Sequence, residues 1–179
     1  MATLSELFED QLKDIYYAEK QILKALPKMI KKATSPNLKA GFEKHRLETE
    51  GQIERLDQIF ELLEKPAKAK RCPAIDGILE EGSEILEEHE PGAVLDAAMA
   101  AAAQSVEHYE ISRYGTLMAW GSELGLTNVC GLLGQTLKQE EATDAALTKL
   151  ATSELNPAAN EDGPDSQPAG MKPKRKSAA

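Results

Sequence analysis

Aromatic side chains make up only 4% of the 179 residues, and there is a single tryptophan. A core so poor in rings must be built from Leu, Ile, Ala and Met, which pack well between helices and specify strands poorly. An all-α fold is expected. The two cysteines, Cys72 and Cys130, stand in unrelated contexts with no CxxC, which argues against a disulfide framework or a zinc knuckle. No apolar run approaches the ~20 residues that span a bilayer, and no charged-then-apolar leader opens the chain. The cytoplasm is the expected address, with no membrane partner. Positive charge is scarce as well: 21 Lys and Arg stand against 30 Asp and Glu, a formal net charge of -9. The folded body should therefore repel nucleic acid and favour cations.

What is present is helical periodicity. With 41% hydrophobic and 28% charged residues, the chain suffices for one compact domain. Thr3-Leu-Ser-Glu6 reads as a capping box, and Phe8, Leu12, Ile15, Glu19, Ile22, Leu26 and Met29 follow at alternating steps of four and three. The spacing predicts a helix over residues 4–33, bent near Pro27, where a backbone donor is lost. Ser35 as N-cap and Pro36 in the first turn start a second helix running to about Glu64. Its seam is Leu38, Phe42, His45, Glu48 or Thr49, Gln52, Leu56, Ile59 and Leu63. The short connection makes these two helices antiparallel neighbours.

Residues 65–73, with two prolines and a cluster of basic side chains, read as a linker. Residues 74–90 read as a short amphipathic helix on Ile75, Ile78, Leu79, Ile85 and Leu86. Pro91-Gly92 ends it, and an Ala-rich third long helix follows to about Glu123, with Ala97, Ala98 and Ala100 to Ala103 permitting close approach. After the turn bracketed by Gly121 and Gly125, a fourth long helix, with Thr127 as N-cap, carries Val129, Leu133, Leu137, Glu140 or Glu141, Asp144, Leu147 and Ala151. Residues 1–155 are thus expected to form an antiparallel four-helix bundle with a long crossover, carrying a short extra helix, between helices two and three. Residues 156–179, rich in Pro, Ala, Gly, Asn, Asp and Ser and closing on Lys172-Pro-Lys-Arg-Lys176, are expected to be a disordered tail.

The apolar seams are broken by carboxylates near the middle of each long helix. Glu19 interrupts the first, His45, Glu48 and Gln52 the second, Glu107 and Glu110 the third beside Tyr114 and Leu117, and Glu140 or Glu141 with Asp144 the fourth. A buried carboxylate costs several kcal/mol unless it is paired, protonated or metal-bound. Four interruptions at matching heights point to one cause, a pair of divalent first-row metal ions held between carboxylates. Glu19 and Glu48 lie about equally far from the loop near residue 34, and Glu110 and Glu141 from the turn near residue 125, so each pair shares a level. The two halves also align, Ala18-Glu19 with Leu26 on Tyr109-Glu110 with Leu117, which suggests an internal pseudo-twofold. His45 is open between ligand and hydrogen-bond donor, and His108 is expected to face outward.

Four motifs occur in order over about residues 3–155: Asp14-Ile-Tyr-Tyr-Ala-Glu-Lys-Gln-Ile22; His45-Arg-Leu-Glu-Thr49 with Gln52 and Arg55-Leu56; Val106-Glu-His-Tyr-Glu-Ile111 with Tyr114-Gly-Thr-Leu117; and Gln139-Glu-Glu-Ala142 with Asp144. Together they resemble the YciF/YciE-type bacterial stress proteins, a branch of the ferritin-like superfamily. The resemblance implies a ferritin-like bundle, a di-iron site, association into dimers and a role in stress response. Carried over residue by residue, it gives Glu19, Glu48, Glu110 and Glu141 as core carboxylates, with Asp144 in one histidine position. Gly51 occupies the other, so His45, Gln52 or Glu107 would complete that half. The departure is that such bundles ordinarily supply Glu-x-x-His twice, whereas here the order is His45-x-x-Glu48 and Glu141-x-x-Asp144. An oxygen-rich set favours Fe or Mn over Zn. The expectation is two metal ions per chain, iron first and manganese as the alternative, oxidising Fe(II) or reducing peroxide. The competing expectation is a non-catalytic stress-response scaffold with a vestigial carboxylate site.

Overall fold

The structure, a computed structural model, describes residues 3–162. Thr3 opens the first helix with the reciprocal bonding its sequence implies. Its hydroxyl accepts from the Glu6 N–H, and the Glu6 carboxylate accepts from the Thr3 N–H at 2.7 Å. Helix α1 then runs Leu4–Lys32 and continues through Pro27, which removes one donor without ending it. Ser35 caps α2 (Pro36–Leu62), whose Pro36 sits in the first turn where no N–H is needed. Helices α3 (Pro73–Glu88), α4 (Ala93–Glu123) and α5 (Thr127–Leu150) follow, then a π-helical turn Ala151–Leu155 and a short α6 (Asn156–Asp162). There is no strand among the described residues.

Around the core, α1 lies beside α2 and α4, and α5 beside the same two, so the four long helices close a ring. The direction of each follows from its ends. Ala33, Thr34 and Ser35 are all that separates α1 from α2, too few to do anything but reverse the chain. Asp96, in the first turn of α4, is buried against this loop. Its carboxylate accepts from the Thr34 N–H at 2.9 Å, the Thr34 hydroxyl at 2.6 Å and the Ser35 N–H at 2.6 Å. Helices α2 and α4 therefore start at the same end and run parallel, and the chain between them must cross the length of the bundle. It does so with α3 packed on α1 and α4. The basic stretch before α3 lies along α1: the Lys70 N–H bonds the Lys13 carbonyl at 3.1 Å, Lys65 reaches Glu9 and Lys70 reaches Asp10, both at 3.2 Å.

Two helix ends turn by the same device. After α4, Gly125 takes φ 73°, the Leu126 N–H bonds the Gly121 carbonyl at 2.8 Å and the Gly125 N–H bonds Ser122 at 3.0 Å, a Schellman motif. After α2 the pattern recurs with Lys65 on Phe60 and Glu64 on Glu61, both 3.0 Å, but the left-handed position is held by Glu64 at φ 54°. Gly121 also lets α5 approach, since a Cβ there would lie 2.8 Å from the Cys130 sulfur.

Two expectations are corrected. Thr127 is the first residue of α5, and Leu126 occupies the cap position without a side-chain bond. Residues 156–162, expected within a disordered tail, form α6, packed on α4. The reason is Leu155, buried at the end of the π-helical turn, and Glu154, which accepts from the Ser35 hydroxyl at 2.6 Å and the Asn37 amide at 2.7 Å. The rest of the expected tail, 163–179, lies outside the described residues. The alanine row in α4 lets α3 come close, since a Cβ on Gly82 would stand 3.9 Å from that of Ala102, and Ala100 and Ala103 are buried.

Two stability measurements test these joints. Asp96→Ala strips three donors of their buried acceptor and should lower unfolding free energy in urea by about 2–3 kcal/mol; a loss below measurement error would show that the α1–α2 loop does not depend on it. Glu64→Gly relieves a left-handed residue and should raise stability by about 1 kcal/mol.

Candidate metal centre

The middle of the bundle is where polar side chains replace apolar ones on all four walls. Glu19 comes from α1, His45, Thr49 and Gln52 from α2, Glu107, Glu110 and Tyr114 from α4, and Thr136 and Glu140 from α5, and all are buried. Glu19, Gln52, Glu110 and Glu140 have no accessible surface at all. Helical spacing accounts for this: Glu107, Glu110 and Tyr114 sit at i, i+3 and i+7 on one face of α4. One ligating atom from each of His45, Glu107, Glu110 and Glu140 lies within 4.8 Å of every other. His45 Nε2 is 3.4 Å from the nearer Glu107 oxygen.

Neutral groups hold two of the carboxylates in place. The Tyr114 hydroxyl donates to Glu19 Oε1 and the Gln52 amide donates to Glu140 Oε1. Arg55 braces the same wall, donating to the Thr136 hydroxyl at 2.5 Å and the Gln139 side-chain oxygen at 2.6 Å. These bonds do not exhaust the acceptors. Glu19 Oε2, Glu107 Oε2, Glu140 Oε2, both oxygens of Glu110 and both ring nitrogens of His45 are buried without a hydrogen-bond partner. Each such atom costs about 1–3 kcal/mol, and their convergence calls for a cation or for protons.

Protonation shows how strongly. Burial first, then the charge of Glu140, pushes Glu19 well above the carboxylate range. Burial first, then Glu19, does the same to Glu110. Glu107 is pushed up to about 11 by burial and then by Glu140, and burial raises Glu140 to about 7. Burial lowers His45 to about 4, leaving a neutral imidazole at pH 7. A neutral imidazole and several orphaned carboxylate oxygens are a hard oxygen and nitrogen donor set that fits Fe(II) or Mn(II). The residues present therefore fit a bound transition-metal ion.

The structure places the seven sequence-derived candidates unequally. Glu19, His45, Glu107 and Glu110 are buried at the centre, so neither Glu107 nor Glu110 excludes the other. Glu48 stands at the rim: its Oε1 accepts from Lys44 at 2.6 Å while its Oε2 is buried and unpartnered. Glu141 is exposed, and its neighbour Glu140 takes the inward position. This corrects the choice of Glu141. The cause is a phase error of one residue: stepping from Val129 and Leu133 through the apolar Leu137 leads to Glu141, whereas the buried face passes through the polar Thr136. Asp144, half-buried, is likewise outside the cluster, accepting from Gln104 at 3.1 Å and lying 3.2 Å from His108 Nε2. His108 is exposed, as its neighbours imply. Thr136 and Asp96 were not singled out by sequence; for Thr136 the signal was the 3.6-residue step from Val129.

Protonation links the cluster to stability. Glu19, Glu107 and Glu110 hold protons in the folded chain that the unfolded chain releases near pH 4.5, so their contribution falls as pH rises above that value. His45 acts oppositely, costing stability as pH drops from 6.5 toward 4. In metal-free protein, Glu110→Gln, a mimic of the protonated acid, should gain about 1–4 kcal/mol at pH 8, with the gain shrinking toward pH 5. Urea melts at the two pH values decide it; a loss at pH 8 would show that the ionised form is the one the fold prefers.

Residues 3–160 match a domain family described as of unknown function, DUF892. Protein YciF of Escherichia coli (strain K12) is 45% identical over 158 residues, 87% of this chain and 95% of that protein. The crystal structure of that E. coli stress protein superposes with a TM-score of 0.83 at 43% identity, covering 87% of this chain and 99% of that one. YcfI of Rhodopseudomonas palustris, provisionally described as a structural protein, gives 0.81 at 49% identity, covering 82% and 94%. A protein of Xanthomonas campestris at 19% identity, TM-score 0.70 and coverage of 89% and 98% shares the fold alone. The match runs through every helix that supplies the carboxylate cluster, and the chain belongs to the DUF892 family.

Proposed function

We propose that the chain is a stress-associated, ferritin-like protein that binds two divalent metal ions between its four long helices, iron before manganese, and that iron bound there is oxidised by dioxygen or peroxide. The observation that carries the reading is the convergence of orphaned carboxylate oxygens on a neutral His45. His45, Glu107, Glu110 and Glu140 would hold one ion. Glu19 and Glu48, each with one buried carboxylate oxygen lacking a partner, would complete the second half. Bound Fe(II) would supply the electrons that reduce the oxidant. The chain's own residues do the rest. Glu19, Glu107 and Glu110 give up their protons when a cation enters, Tyr114 fixes the rotamer of Glu19, and Gln52 fixes that of Glu140.

The stress assignment rests on the 45% identity to a protein described as an E. coli stress protein. We further propose a cytoplasmic homodimer whose folded body binds no nucleic acid, in keeping with its net charge of -9. No membrane partner is proposed, and no described helix is long and apolar enough to cross a bilayer. A second reading, a non-catalytic scaffold, is favoured by two observations. The Tyr114–Glu19 and Gln52–Glu140 bonds hold carboxylates in place without an ion, and one relative is provisionally described as structural.

Anaerobic loading with Fe(II), followed by desalting and metal analysis, distinguishes the two. The metal-centre reading expects about two ions per chain, accompanied by proton release, with uptake falling below half in Glu110→Gln and Glu140→Gln. Wild-type protein that takes up no stoichiometric iron or manganese would leave the scaffold reading alone.

A further inference from the structure

Beside the carboxylate cluster lies a cavity of about 260 Å³. Its walls are apolar, formed by Ile22, Leu26, Phe42, Val106 and Leu147, and it meets the surface near Gly41 and Ala146, which are exposed. At roughly 30 Å³ per water-sized group, the volume accepts about eight to ten heavy atoms. Water would find few partners along such walls. The polar groups that line it include His45 and Glu107, both more than nine-tenths buried with atoms lacking a partner. Thr143, from α5, adds a buried hydroxyl that also has no partner and belongs to no other network.

An apolar chamber with a few orphaned polar groups is the signature of a site for a molecule with one polar end. Charge narrows the class. The buried end offers no Lys or Arg: Lys44, which also lines the cavity, is exposed and paired with Glu48 at 2.6 Å, and the chain carries a net charge of -9, so an anionic head would be buried without a counter-ion. We infer that the cavity binds a medium-chain aliphatic molecule with an uncharged oxygen head, an alcohol, aldehyde or hydroperoxide, its head against Thr143, His45 and Glu107 and its chain along Ile22, Leu26, Phe42 and Leu147. Its role as a substrate site rests on the metal-centre reading; the binding itself does not. This inward placement would present the oxygen end to His45 and Glu107, the residues shared by cavity and cluster.

The test is calorimetric titration of the full chain, metal-free and Mn(II)-loaded, with 1-octanol and with octanoate. One octanol per chain is expected, with octanoate weaker. Ala103→Leu, which fills the chamber from α4, should weaken octanol by about tenfold or more, and Thr143→Val, which removes the hydroxyl, by severalfold. If Ala103→Leu fails to fold, Ala146→Trp at the mouth should produce the same loss. Absence of saturable octanol uptake by wild-type protein, undiminished uptake by the filling variants, or tighter octanoate would each overturn the assignment. Uptake of manganese, and of Fe(II) loaded anaerobically, measured on the same preparation separates the two readings. Octanol bound without metal supports the cavity and removes the metal centre, whereas metal bound without octanol does the reverse.

Discussion

The cost of ionised carboxylates in an apolar interior governs this molecule. Glu19, Glu110 and Glu140 have no contact with solvent, and Glu107 almost none. Left ionised and unpaired, each would cost several kcal/mol, a large fraction of the 5–15 kcal/mol by which a typical domain is stable. The chain meets this cost in two ways. It places neutral donors, Tyr114 and Gln52, on two of the four, and leaves the remaining oxygens facing one another around His45. A proton or a cation must then satisfy what the protein does not.

The rest of the fold serves to keep those four walls at one height. The Thr34–Ser35 loop and the first turn of α4 are locked together by Asp96, which sets the register of α4 against α1 and α2. At the opposite end of α4, the Schellman turn at Gly125 and the absence of a Cβ at Gly121 bring α5 close against it. The crossover adds length without freedom, because its basic residues are laid along the acidic first half of α1 and Tyr17 bonds Asp76 at 2.8 Å. Exposed ion pairs of this kind contribute little individually, so their effect is on the path of the chain more than on its stability. Arg55, bridging Thr136 and Gln139, does for α2 and α5 what Asp96 does for α1 and α4.

The cavity next to the cluster extends the same logic. A site that excludes water strengthens every electrostatic interaction inside it, and the apolar walls of Ile22, Leu26, Phe42 and Leu147 do so on the side facing α3 and the ends of α2 and α5. His45 and Glu107 belong to both regions. That shared edge is where a binding chamber and a charged centre can act on one molecule.

Much of this was legible in the sequence, because helix periodicity and capping are local. The capping box at Thr3 and Glu6, the Ser35-Pro36 start and the break at Pro91-Gly92 involve neighbours within a turn, and the four carboxylate interruptions stand out against Leu and Ile at fixed spacing. Two matters depended on contacts between distant residues. Whether Glu140 or Glu141 faces inward turns on a rotation of about 100° per residue, and along α5 the apolar Leu137 draws the seam toward Glu141 while helical spacing through the polar Thr136 leads to Glu140; burial against α2, where Arg55 takes up the Thr136 hydroxyl, decided for Glu140. Asp96 looks like an ordinary acid in the first turn of a helix, and only its approach to Thr34, 62 positions earlier, makes it a joint of the fold. Periodicity thus determined that carboxylates enter the core, and tertiary packing, by fixing the rotation of each helix, decided which ones meet.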